Sequence, residues 1–229
     1  VTALQSIYTR ALGKDFAKLH PKIQKRFGFN SKDGIASIGT GVMEKVWYSK
    51  WYTLPFLYIG TWRNILFPQQ GRQIPFTIEN YAYKDSFGRE TVTWVRTYHF
   101  PNKTRRFDAT MIYSEQKGKI IDYLGTHQHL AVDIQMEPTP FGAMKLRSGA
   151  QYFYEGPLGF AFPMLLSGYA DVVEAYDEES GRFKIDVTVR NPVFGPIFGY
   201  SGSFDVSYVP LGERGIPEHV KPVREERRE

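Results

Sequence analysis

From Gly71 onward the chain alternates apolar and polar residues with period two, the mark of strands with one buried face. Ile74, Phe76 and Ile78 alternate with Thr77 and Glu79. Phe107, Ala109, Met111 and Tyr113 share a face opposite Arg106, Asp108 and Thr110. Further strands are predicted near Lys119–Leu124, Leu130–Glu137, Met144–Tyr154, Tyr169–Asp177, Arg182–Val189 and Ile197–Val209. Turn residues punctuate them at Asp85–Gly88, Pro101–Lys103, Gln116–Gly118 and Glu178–Gly181.

Thr91–Phe100, TVTWVRTYHF, is the most informative of these segments. Val92, Trp94, Tyr98 and Phe100 fall on one face, and Arg96 falls on the same face. An inward guanidinium needs a carboxylate or a bound ligand. Asp122, beside Ile120 and Leu124, and Glu174, beside Val172 and Tyr176, are the inward carboxylates expected to face it.

The first third reads differently. Leu4, Ile7, Tyr8 and Ala11 repeat at helix spacing before Gly13, and Pro21 opens a second helix with Ile23 and Phe27 on one face and Gly28 at its end. Ser37–Val46 is a strand with glycines at 39 and 41. Residues 47–66 read as two short helices that bury most of their surface, their tryptophans included. Gly156–Tyr169, GPLGFAFPMLLSGY, is apolar on all sides, and reads as a buried connection across the barrel end or else as a hydrophobic lid or membrane-dipping loop.

These elements predict a mainly β protein, a β-rich α+β fold. About ten antiparallel strands form a strongly curved sheet or barrel, because sheets of that size curl or close. Short N-terminal helices pack at its mouth. Residues 1–210 are expected to be one β-rich domain, helical over 1–66 and sheet over 71–210. Residues 211–229, with two prolines and no apolar period, are expected to be a flexible tail.

Several strings resemble a bacterial family catalogued as domain of unknown function 4166: GTGVMEKV, LYIGTWRNILFPQQGRQIPF, TVTWVRTYHF with TRRFDATMIY, IIDYLG, LRSGAQYF and NPVFGPIFGYSGSF. They span roughly residues 35–205. The resemblance implies a free-standing or fused bacterial domain and brings no catalytic residues. Some relatives carry a dinucleotide-dependent dehydrogenase-like segment, and this chain has no glycine-rich dinucleotide fingerprint.

Composition narrows the chemistry further. Aromatic residues make up 16% of the chain, enough for a sizeable core. A net charge of +5 without an RNA-binding or helix-turn-helix signature argues against nucleic acid and leaves a weak attraction to anionic lipid surfaces. The absence of cysteine removes disulfides and thiolate chemistry and fits a soluble protein of the reducing cytoplasm, or one peripheral to a membrane. No apolar run reaches the ~18 residues of a spanning helix. The chain starts at Val1 rather than Met, so an upstream portion is an open alternative. His127 and His129 form an H-x-H pair with no third ligand at a recognisable spacing, so no metal is expected, and no cofactor. Neither G-x-S-x-G nor a phosphate-cradling loop occurs.

The leading expectation is a non-catalytic domain binding a lipid-like or other hydrophobic, or anionic, small molecule inside the curved sheet. Trp94, Arg96, Tyr98, Phe107 and Met111 would line the site, with Asp122 or Glu174 partnering Arg96 and with Trp47, Trp51 and Trp62 at the helical cap. The alternatives are an enzyme using an inward carboxylate as general base, and a protein-interaction scaffold. Oligomeric state is open.

Overall fold

The computed structural model describes residues 4–49, 51–213 and 215–229, with side chains left out at 52, 55, 56, 59 and 166. Two short helices come first: α1 (Ile7–Leu12), capped by Ser6, whose Oγ accepts from Thr9 N, and α2 (Pro21–Gly28). Pro21 fixes the first turn of α2, and the His20 ring accepts from Lys22 N. β1 (Ile35–Tyr48) is followed by a short 3₁₀ turn and α3 (Leu54–Thr61). Then come β2 (Gly71–Lys84), β3 (Glu90–Phe100), β4 (Lys103–Ser114), β5 (Lys119–Leu124) and β6 (Leu130–Pro138). β7 (Met144–Glu155), β8 (Leu158–Ala161), β9 (Tyr169–Asp177), β10 (Arg182–Asn191) and β11 (Gly195–Pro210) complete the sheet.

Each strand pairs antiparallel with its neighbour in sequence, apart from the excursion of β8, and β11 returns to pair with β1 from Ile35↔Pro210 to Tyr48↔Phe198. The result is a closed ten-stranded meander barrel. Closure satisfies the edge groups that an open sheet of this size would expose. β8 stands outside the ring as a hairpin extension of β7.

β7 divides its second edge. Met144–Arg147 pair with β9, whereas Tyr152–Glu155 pair with β8. Between these stretches the wall is joined by the backbone bond from Phe162 N to the Gln151 carbonyl at 2.7 Å and by side chains. Ser148 Oγ accepts from Ala170 N, Gln151 Nε2 donates to the Gly168 carbonyl, and Ser167 Oγ donates to Gln151 Oε1.

An antiparallel ring sends alternate connections to opposite ends. The β2–β3, β4–β5, β6–β7 and β9–β10 hairpins lie at one end, together with α1 and α2, which plug it. The other end carries α3, the β8 hairpin and the β10–β11 turn. The plug fits because the inner face of β1 is nearly bare. A Cβ at Gly39 would stand 2.6 Å from Ile78 and 2.7 Å from Phe204, and one at Gly41 would collide with the Ser203 carbonyl. Tyr8, Ile23 and Phe27 fill that half of the core, with Phe27 edge-on to Tyr8 at 5.0 Å.

Two expectations are corrected here. The described residues of 47–66 do not bury most of their surface: Trp51, Tyr58 and Trp62 are exposed, and only Leu57 of the described α3 side chains is fully covered. A rim helix that is apolar all round can turn only one side to the barrel. Gly156–Tyr169 is likewise not a buried crossing, because Leu158, Phe160 and Leu165 are exposed.

The C-terminal segment runs along the outside of the barrel. Val220 packs with Ala36, Tyr81, Tyr83 and Val95. Val223 N donates to the Thr126 carbonyl, and Tyr123 Oη to that of Arg228. Among the described residues no helix is long and apolar enough to cross a membrane.

Candidate functional site: an apolar chamber with two charges in its wall

Between the helical plug and the opposite end the barrel keeps a chamber of about 540 Å³. Aliphatic side chains such as Leu124, Val132, Leu146, Val172 and Val187 make most of its wall. Strand alternation puts them there, since each lies on the inward set of its strand. Leu165 and Phe194 line the chamber and are also 58% and 47% exposed, so the mouth lies between the β8–β9 connection and the β10–β11 turn.

Two charged residues face this apolar space, Arg96 from β3 and Asp122 from β5. Arg96 is 4% exposed. Its Nε donates to the Phe107 carbonyl at 3.2 Å and its Nη1 to the Tyr200 hydroxyl at 3.1 Å. The guanidinium carbon sits 3.7 Å above the Phe107 ring, a cation–π contact within a desolvated wall. Neutral partners thus hold the arginine, and no carboxylate among the described residues forms an ion pair with it.

Asp122 explains why. In the ladders Arg96 stands opposite Phe107 and Asp122 opposite Met111, four residues along β4. The two groups therefore feel each other's field without meeting. Asp122 Oδ1 is buried with no hydrogen-bond partner. Burial pushes this carboxyl up to about 7, against the pull of Arg96. Near neutral pH the chamber wall thus presents one fixed cation and one carboxyl poised between its two forms.

Of the other expected residues, Trp94, Phe107 and Met111 line the chamber, and Tyr98 does not. Tyr98 is fully buried in an aromatic cluster, 4.9 Å from Phe67 and 5.0 Å from Phe76. Glu174 does point inward, but its partner is Arg26 of α2 rather than Arg96. Arg26 Nε donates to Glu174 Oε1, and Nη1 donates to Ser37 Oγ at 2.8 Å. This pair belongs to the plug and lies away from the chamber. Trp47 is half-buried on the outer face above Gly199, and Trp51 and Trp62 stand in solvent, so no tryptophan caps the chamber from α3.

Polar chamber residues that the sequence reading missed are Ser148, Gln151, Ser167 and Asn191. Asn191 Nδ2 donates to the carbonyls of Leu165 and Ser167 at 3.0 and 2.6 Å, tying down the 162–168 connection. A second recess of about 830 Å³, near α1 and the chain end, is an open surface hollow. Most of its charges are engaged in ion pairs such as Arg10–Glu115 and Lys84–Glu90. His127 and His129 stack at 5.7 Å on the β5–β6 connection, where His129 Nδ1 approaches Glu155 Oε2 at 2.8 Å. Among the described residues no group of three His, Asp or Glu side chains is placed to hold a metal ion.

Fold and interior together define the class: a closed antiparallel barrel with a plugged end, an open end and an apolar chamber between them. The chain belongs to the family described as a domain of unknown function (DUF4166), whose family model matches residues 19–204. It is similar to the uncharacterized protein YndH of Bacillus subtilis (strain 168), with 31% identity over 201 residues covering 88% of this chain and 97% of that protein. No solved structure matches the chain significantly.

Proposed function

We propose that the chain is a non-catalytic binding protein that holds a lipid-like small molecule in the chamber, tail among the aliphatic wall residues and polar end toward Arg96 and Asp122. The observation that carries this reading is the chamber itself. Its volume of about 540 Å³ lies in the range of small-molecule sites, and its wall joins apolar side chains to a few placed polar groups. The unpartnered Asp122 oxygen adds support, because a buried acceptor is costly unless something hydrogen-bonds to it. A cysteine-free chain suits the cytoplasm, where we place it.

The test is native mass spectrometry of protein purified from producing cells, followed by organic extraction, together with titration of an apolar fluorescent probe. A co-purified amphiphile, or probe binding abolished by Val132→Trp, supports the reading. No extractable molecule and no probe binding sinks it.

One observation favours an enzyme instead. A chamber carboxyl titrating near neutrality is suited to general-base work. Against it, Arg96 and Asp122 are the only strongly charged groups among the described lining residues, so no second titratable carboxyl or imidazole shares the chamber to complete an acid–base pair.

A further inference from the structure

We propose that the open end of the barrel docks on an anionic lipid bilayer. This interaction is carried by the rim and is independent of what the chamber holds. Three observations converge on that end.

First, the exposed large apolar side chains gather there. Trp62 is 86% exposed, Val193 64%, Leu158 61% and Leu165 58%, and each lies in a connection of the open end. Among the described residues the plugged end shows three such residues, Phe87 and Phe141 on separate hairpin tips and Val209 at the end of β11. Second, the sequence of α3, LPFLYIGT, has no charged residue on any side. A helix apolar all round is normally covered by core or by membrane. Here Tyr58 is 61% exposed, so the barrel does not provide that cover.

Third, cations frame the apolar rim. Lys45, Arg63, Arg72, Lys103, Arg105 and Arg190 lie at or next to the open end, and among the described residues none of them forms an ion pair. The exposed carboxylates nearby include Glu44, Glu155 and Asp186, which stands level with Lys45 across β11, and Glu155 is engaged by His129. At the plugged end carboxylates accompany the cations, as in Lys18–Asp15, Arg10–Glu115 and His20–Glu178, while Lys14, Lys22, Lys25 and Lys32 form no ion pair among the described residues. Apolar side chains, tryptophan at the interface and uncompensated cations are the recognition chemistry of an anionic membrane surface. The chamber mouth opens within the same rim, at Leu165 and Phe194, so a docked barrel would present its chamber to the bilayer.

Co-sedimentation of the full chain with vesicles tests this, using phosphatidylcholine alone or mixed with phosphatidylglycerol. Binding is expected to the mixed vesicles, falling as salt rises, with a blue shift of tryptophan emission. Trp62→Ser with Leu165→Ser should weaken binding roughly tenfold or more, as should Arg72→Glu with Lys103→Glu, since each cation near such a surface adds roughly fivefold. Trp62, Arg72 and Lys103 are surface positions and Leu165 is more than half exposed at the chamber mouth, so both pairs should leave the melting temperature in place. Val132→Trp, which fills the chamber, should bind vesicles like the parent, which separates docking from the chamber's own function. Absence of vesicle binding, equal binding to both compositions, or undiminished binding by the Trp62/Leu165 variant overturns the proposal. So does sedimentation analysis showing a dimer that Trp62→Ser dissolves, for then the rim's occupant is a second copy of the chain.

Discussion

Trp94 Nε1 donates a hydrogen bond to the Tyr8 hydroxyl at 2.8 Å, joining the chamber wall to the helical plug. The same hydroxyl lies 3.5 Å from Met111 Sδ, and burial pushes it far above its ordinary range, so it stays neutral. Tyr8→Phe leaves the indole donor buried without an acceptor. The expected cost is about 1–3 kcal/mol, read by urea unfolding, with probe affinity unchanged.

The Arg26–Glu174 pair should behave as a structural unit. Both side chains are fully buried, and Glu174 Oε2 has no hydrogen-bond partner. Glu174→Ala strands the guanidinium and should cost about 3–5 kcal/mol, whereas replacing both together, Arg26→Met with Glu174→Leu, should recover most of the loss. A double-mutant cycle in chemical denaturation measures the coupling. Additive losses would show that the pair is not coupled.

Asp122 sets a pH dependence of known sign. Its folded pKa of about 7 lies above the ordinary value of 3.8, so the folded state binds the proton more tightly than the unfolded state. Stability from this group is therefore greatest in acid, falls between about pH 4 and pH 7, and levels off above. Asp122→Asn should gain on the parent as pH rises through that window, by up to about 4 kcal/mol at pH 8 and little at pH 4. Thermal melts of both proteins across pH decide it, and parallel curves would refute the burial argument.

Arg96→Leu should separate anchoring from folding. The arginine's partners are one carbonyl and one hydroxyl, so its loss strands no opposite charge in direct contact. A long-chain carboxylate probe is expected to lose about tenfold to a hundredfold in affinity, as for a charge-assisted hydrogen bond, while the matching alcohol keeps its affinity. Unfolding of the variant, or equal affinity for both probes, would remove Arg96 from the anchor role.

Asn191→Ala should loosen the 162–168 connection, whose carbonyls its amide holds. Hydrogen exchange in that segment is expected to speed up without a comparable change in the barrel strands.

The barrel was legible in the sequence because its strands alternate cleanly. The inward aim of Arg96, Asp122 and Glu174 follows from period two alone. Their partners were not legible, because pairing depends on which elements cover the barrel ends. Arg26 sits three residues after Ile23, on the buried side of α2, and that spacing was the available signal for the ion pair with Glu174. The tryptophans at 51 and 62 were misplaced because an apolar run does not say which of its sides finds cover. The chain end was unreadable as packed structure because single residues such as Val220 and Glu226 make its contacts, and isolated contacts leave no period.

The split edge of β7 has a kinetic meaning. Elsewhere the ring is held by long ladders, broken only by bulges such as those at Met43/Lys45 and Val132/Ile134, whose opening requires cooperative loss of many backbone bonds. Beside Ser148 and Gln151 a handful of side-chain hydrogen bonds, with the backbone bond from Phe162 N to Gln151, does the same task. The vessel therefore has a panel on a latch. Releasing that latch opens the wall locally while the staves stay in register, so the ease of opening at this seam and the stability of the barrel are set by different residues.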